Sequence, residues 1–283
     1  MKTRVITSVA ALVMFFALLF LPELVFGQRI GDLVFAAALG VVVLIMLHEC
    51  YTATKASKAM RVVGFICSAI FMAAGVPFVI GYNFHTTAEL CAMAAILIIF
   101  INMVLLVALH GKWSYKEVLS NAFLTMYVTV STACIIISKS YFGNGYMMLI
   151  FLCAWSSDSF AYLTGRWIGK HKLIPHVSPN KTVEGAIGGI VGSALICTVY
   201  LLILNNALGL DGPWLLIGIA VGVVGSVFGQ IGDLVASAIK RDTGVKDFGT
   251  FFPGHGGFMD RFDSVMFIAP LVFGILAAIL SIA

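Results

Sequence analysis

KDFGTFFPGHGGFMDRFDSVMFIAPLVFGILAAILSI, residues 246–282, changes character halfway along. Its first 19 residues hold four glycines, a proline, three aspartates and two basic groups, whereas the next 18, Val265 to Ile282, carry no charge at all. At 1.5 Å per helical residue, a span over 262–282 is about 30 Å long, the thickness of a bilayer's hydrocarbon core. The same contrast recurs along the chain. Of 283 residues 61% are hydrophobic and 11% charged, a balance that a lipid solvent explains and a water-soluble core of this size does not need.

Read by length and charge depletion, the sequence predicts an all-α polytopic membrane protein with about nine transmembrane helices, near 5–27, 33–54, 60–81, 87–109, 117–138, 144–164, 184–206, 213–239 and 262–282. The first span follows Lys2 and Arg4 but is long for a signal core and lacks a clear small-residue cleavage site, so it reads as an anchor. With the N-terminus inside, 15 Lys and Arg fall on the cytoplasmic side and only Arg29 and Lys139 outside. That partition predicts N-in and C-out. The net charge of +4 follows from topology and gives no argument for nucleic acid. All six cysteines lie in or at the edge of apolar spans, as small buried hydrophobes do. Pro22, Pro77 and Pro270 are expected to kink their spans, and Trp113, Trp167 and Trp214 suit an interfacial belt.

Two connections are long, 165–183 and 240–261, both assigned to the cytoplasmic side; such loops are more often functional than idle. Both lie in region 141–283, the expected seat of the chemistry, and leave residues 1–140, about five spans, with no assigned role. Asp158 and Asp233 lie within about two turns of cytoplasmic helix ends, and intramembrane charges usually mark a site or pathway. On one helix face Asp233, Ser237 and Lys240 or Arg241 follow at i, i+4 and i+7 or i+8. Asp260 and Asp263, three apart at the start of the last span, suit the same neighbour. The run Gly254-His255-Gly256-Gly257 permits close backbone approach, and N–H groups at a helix start favour an anion. With Lys240, Arg241, Lys246 and Arg261 around them, these acids and bases form the outline of a metal–polyphosphate site.

The loop GRWIGKHKLIPHVSPNKTVEG, residues 165–185, repeats the theme with Arg166, Lys170, Lys172, His176, Ser178, Lys181 and Thr182. Its G-x-x-x-G-K run is one residue short of a Walker A loop and lacks the following Ser or Thr. Lys181 is read as a phosphate contact, Thr182 as a cap of the next span, and Glu184 as a first-turn acid or a functional group. His48-Glu49, His85, Glu89 and His110, near span ends, are read as ordinary interfacial residues.

The run Ser237-x-x-Lys240-Arg241-x4-Lys246-Asp247-x-Gly249-x-x-Phe252-Pro253-x-His255-Gly256-Gly257-x-x-Asp260-Arg261-x-Asp263 resembles the signature of the phosphatidate cytidylyltransferases, also called CDP-diacylglycerol synthases. The resemblance extends back through Gly229-Gln230-x-Gly232-Asp233, the SPNKTVEG loop and Asp158-x-x-Ala161-Tyr162, covering roughly residues 145–283. Asn180 and Val183 depart from it, standing where relatives often carry Lys and Trp. The resemblance implies transfer of a cytidylyl group from CTP to phosphatidic acid with Mg²⁺, helped by a monovalent cation such as K⁺, in a homodimeric enzyme of the bacterial inner membrane. By position it assigns Asp233 and Asp260 as metal-binding acids, with Asp263 in support. Lys240 and Arg241 join the catalytic set, and Ser178, Lys181, Thr182, Ser237, Lys246, His255, Gly256, Gly257 and Arg261 face the substrates.

The chemistry suits that assignment. A phosphate monoester with a second pKa near 6 is largely dianionic at neutral pH and already nucleophilic, so its repulsion from the triphosphate is what cations must overcome. An ion-coupled transporter using Asp158 and Asp233 is the main rival. A CTP-using lipid kinase and a CDP-alcohol phosphotransferase are others, although the Asp-Gly-x-x-Ala-Arg run of the latter is missing.

Overall fold

A computed structural model describes residues 2–81, 84–252 and 256–280. Helices dominate: α1 (Lys2–Phe26), α2 (Gln28–Ala53), α3 (Lys58–Val79), α4 (Phe84–Ala108), α5 (Tyr115–Ile168), α6 (Val183–Leu208), α7 (Trp214–Thr243) and α8 (Met259–Leu280). Among the described residues eight helices are long and apolar enough to cross a membrane. Many large apolar side chains point outward, Leu24 at 84% and Val107 at 77% exposure among them. Water would penalise such a surface and lipid does not.

The spans expected at 117–138 and 144–164 fall on the two helices that make up α5, which meet across a kink at Gly143. Lys139 to Phe142 between them have no helix breaker, and only Gly143 departs, at φ 83° and ψ 172°. Glycine alone adopts that conformation without strain. A further departure is a short hairpin, β1 (Lys172–Ile174) paired antiparallel with β2 (Ser178–Thr182), in the loop between α5 and α6.

The chain divides into two compact units. The first holds residues 1–141 together with 245–261; the second holds 142–244 and 262–283. In the first, α2 packs on α1 and α3, and α3 on α4. Lys139 is buried there, 2.5 Å from Asp32 and 3.3 Å from Glu23. The charge partition places it on the outer side, and within the protein it has its own acids, as buried charges require.

In the second unit α6 lies against α7. Backbones meet where side chains are smallest: a Cβ on Gly222 of α7 would stand 2.4 Å from Ala194 Cα of α6. Such small-residue contacts replace the hydrophobic drive that lipid cannot supply between helices. Thr182 caps α6, its hydroxyl accepting the Gly185 N–H at 3.1 Å, as the sequence suggests.

Candidate active site

In the second unit, the charged end of α7 and the hairpin carry most of the polar groups that the sequence singles out. Asp233 stands about three turns before the α7 C-terminus, where Gly244 closes the helix in a left-handed conformation. Ser237, one turn on, donates to Asp233 Oδ1 at 3.4 Å. Across from it β2 brings Lys181, whose Nζ lies 2.5 Å from Asp233 Oδ2. Both side chains keep about a quarter to a third of their surface exposed, 25% for Lys181 and 30% for Asp233, so the pair stays open to solvent-borne groups.

The hairpin is fixed at both ends. Glu184, in the first turn of α6, accepts the N–H of Lys170 at 3.1 Å and of His171 at 3.2 Å, and pairs with His171 Nδ1 at 2.7 Å. Arg241, in the last turn of α7, donates from Nε to the Val177 carbonyl at 3.4 Å. Glu184 thereby has a definite role, that of a loop anchor, and Arg241 reaches the turn between the strands. Ser178 opens β2 half-buried, while the atypical Asn180 is exposed and Val183 begins α6.

A second group of acids completes this unit's end. Asp263 lies within electrostatic reach of Asp233, Asp158 and Lys240. Ser264 serves two of them, donating its backbone N–H to Asp263 Oδ1 at 2.8 Å and its hydroxyl to Asp158 Oδ2 at 3.4 Å. Hard oxygen donors beside lysines are therefore concentrated on one unit, with Lys240 half-buried in the last turn of α7.

The glycine-rich loop belongs to the first unit. Phe248 and Phe258 are buried, and the rings of Phe251, Phe252 and Phe258 pack at centroid distances of 4.6–5.2 Å. Phe252 N–H donates to the Gly256 carbonyl at 2.8 Å, and Gly256 turns the chain at φ 84°. Asp260 is 9% exposed, and its Oδ2 accepts the N–H of Phe248 at 2.8 Å and of Gly257 at 3.0 Å. Lys246 and Arg261 are exposed, and His255 lies outside the described residues.

One expectation changes here. The N–H groups at the start of α8 were expected to favour a bound anion, but the protein's own carboxylates take them. Glu49 of α2, 6% exposed, accepts from Phe258 at 3.1 Å and Met259 at 2.9 Å. Read from sequence as an ordinary interfacial acid, Glu49 is the residue that sequence reasoning missed. Its only signal is an acid two residues before Tyr51 at a helix end, and its partners lie some two hundred positions away. Among the described residues no three His, Cys, Asp or Glu side chains form a metal cage by themselves.

Comparison with known proteins gives this geometry a context. The profile of the cytidylyltransferase family matches residues 2–279. A phosphatidate cytidylyltransferase of Staphylococcus haemolyticus is 35% identical over 272 residues, 96% of this chain and 97% of the relative. One from Staphylococcus epidermidis is 44% identical over 168 residues, 56% of this chain and 63% of the relative. Another from Staphylococcus saprophyticus is 48% identical over 130 residues, 46% of this chain and 48% of the relative.

Proposed function

The chain belongs to the cytidylyltransferase family, and from that premise we propose that it transfers the cytidylyl group of CTP to phosphatidic acid, giving CDP-diacylglycerol and pyrophosphate for phospholipid biosynthesis. It is a membrane nucleotidyltransferase. The observation that carries this reading is the 35% identity to a phosphatidate cytidylyltransferase over 96% of the chain; the long apolar helices agree with a lipid substrate.

The dianionic phosphate of phosphatidic acid attacks the α-phosphorus of CTP and pyrophosphate leaves, so the protein's task is to bring two anions together. Lys181, Lys240, Arg241, Lys246 and Arg261 neutralise phosphates, with Ser178, Thr182 and Ser237 lining their approach. Gly256 and Gly257 form the turn beside the nucleotide, and His255 is assigned to the substrates by the resemblance alone. Lys181 holds Asp233 until substrate arrives and then shifts toward phosphate, a move that its partial exposure allows.

Mg²⁺ is the proposed cofactor. Carboxylate oxygens, the donors it prefers, are what the end of the second unit concentrates in Asp158, Asp233 and Asp263. Asp233 and Asp260, the positions of the family's metal-binding acids, are the residues that would hold it, with Asp263 in support. Bound there, it would supply charge neutralisation on the nucleotide phosphates. A monovalent cation such as K⁺ and a homodimeric assembly follow from the resemblance and are proposed on that ground.

We further propose nine crossings, N-terminus in and C-terminus out, with the site facing the cytoplasm of a bacterial inner (cytoplasmic) membrane. Residues 115–142 and 144–168, on either side of the non-helical Gly143, are each long enough to cross a bilayer at about 1.5 Å per residue. Counting α5 as two spans about Gly143 keeps 15 basic residues inside against 2 outside; counting it as one puts Lys139 within the span and changes the split to 7 inside and 9 outside.

The test is purified protein in mixed micelles with labelled CTP, phosphatidic acid and Mg²⁺. Label in the lipid phase supports the transfer, and Asp233→Asn should lower it by about a hundredfold or more. Label confined to the aqueous phase, or ion flux without CTP turnover, would refute it.

A further inference from the structure

Glu49 is a buried carboxylate that the proposed chemistry leaves without a task. Three observations in the first unit converge on it. It sits in the last turns of α2 yet spends both oxygens on another element, Oε1 on the Phe258 N–H and Oε2 on the Met259 N–H. Those are amides at the start of α8, where helix geometry leaves donors without intrahelical partners and the dipole favours negative charge.

Two glycines of the loop close on the same carboxylate. A Cβ at Gly249 would stand 2.2 Å from Glu49 Oε1, and one at Gly257 would stand 2.3 Å from it. Neither position has room for any side chain while Glu49 is there. The platform beneath is firm as well: Tyr51, two residues on, is fully buried, shares a 2.6 Å hydrogen bond with Thr125 and fills the space beside Gly64.

Asp260 is held by the adjoining amides, those of Phe248 and Gly257. Glu49 and Asp260 thus divide the loop's backbone donors between them, Gly257 and Phe248 to one, Phe258 and Met259 to the other. Moving residues 257–259 moves the Gly257 N–H, one of the two donors that orient Asp260.

We propose that Glu49 is a positioning residue for the cytidylyl transfer: it clamps residues 257–259 and so sets the direction of the Asp260 carboxylate. This rests on the transferase reading above. It also gives the N-terminal spans a definite part in the reaction, since the clamp is on α2.

The test uses the full-length protein in detergent and has two independent readouts. Glu49→Gln keeps the volume but replaces one acceptor by an NH₂ facing an N–H. It should lower kcat by roughly tenfold or more, the scale of a small misplacement, while the KM for CTP stays within about threefold, as for an interaction exerted in the transition state. Hydrogen exchange in peptides covering 256–262 should quicken, with α3 and α4 peptides unchanged.

A variant with wild-type kcat, or with reduced kcat and unchanged exchange at 256–262, overturns the proposal. Should Glu49→Gln fail to fold, Gly249→Ala pushes a methyl against the same carboxylate from the loop side and must give the same local exchange signature; unaltered exchange there overturns it. If wild-type protein transfers no label to lipid, the transferase reading fails separately. The exchange result then decides on the clamp alone.

Discussion

The 2.5 Å contact between Lys181 and Asp233 joins two residues that the sequence marks for separate reasons, one in a basic loop and one in an apolar helix. Partly exposed ion pairs contribute about 0–1 kcal/mol to stability, so folding alone gives little reason to keep this one. Function gives a better reason, because a cation resting on a carboxylate is ready to be exchanged. Lys181→Met and Asp233→Asn should each lower kcat/KM by about a hundredfold or more, the scale of losing one preorganised electrostatic contact. The double variant should lose about as much as the worse single, as groups acting as a unit do. Label transfer into lipid measures all three, and losses that multiply would show the two residues acting independently. Both were legible from residue type and position. Their pairing was not, because it depends on a hairpin that carries Lys181 to the α7 end, and nothing in SPNKT announces a strand.

At the scale of elements, helices were read more easily than the hairpin, for physical reasons. Bilayer thickness imposes a length on every span, and the expected 184–206 lies within α6 while 213–239 falls on α7 save for its first residue, the N-cap Pro213. The strands are only three and five residues long, Pro179 interrupts the second, and burial along that longer strand does not alternate as in a half-buried sheet. Side-chain pattern therefore holds no record of them; Glu184 and Arg241, anchoring the backbone from outside, do that work. Helix packing is recorded in the glycines, provided their surroundings are known. Gly222→Val should intrude on Ala194 and cost about 1–3 kcal/mol, as overpacking does. Gly40→Ala, in a helix with open space around the position, should be neutral or gain up to about 1 kcal/mol. Thermal midpoints in one detergent compare them, and equal midpoints would mean that the α6 and α7 backbones need no close approach.

Over the whole molecule, the charges proposed for the chemistry are also the ones that weigh most on the proposed orientation. Eight of the 17 Lys and Arg follow Gly143, among them every basic group assigned to phosphates, so one crossing more or less transfers all of them to the other face. Lys139 does not weigh against the arrangement, for Asp32 and Glu23 neutralise it in the interior of the first unit. The positive-inside bias counts exposed loop charges near span ends, and Arg29 remains as the outer-side residue it must tolerate. Two exposed positions settle the matter experimentally: Lys172 on β1 and Asp211 between α6 and α7. In a cysteine-free background, Asp211→Cys should react with a membrane-impermeant maleimide on intact cells, and Lys172→Cys only after the membrane is opened. The reverse pattern would make α5 a single crossing and put the hairpin outside, where cytoplasmic CTP does not reach it. Labelling of Lys172→Cys alone on sealed inside-out vesicles would complete the assignment, because in that preparation the face carrying the phosphate-binding residues is the one the reagent meets first.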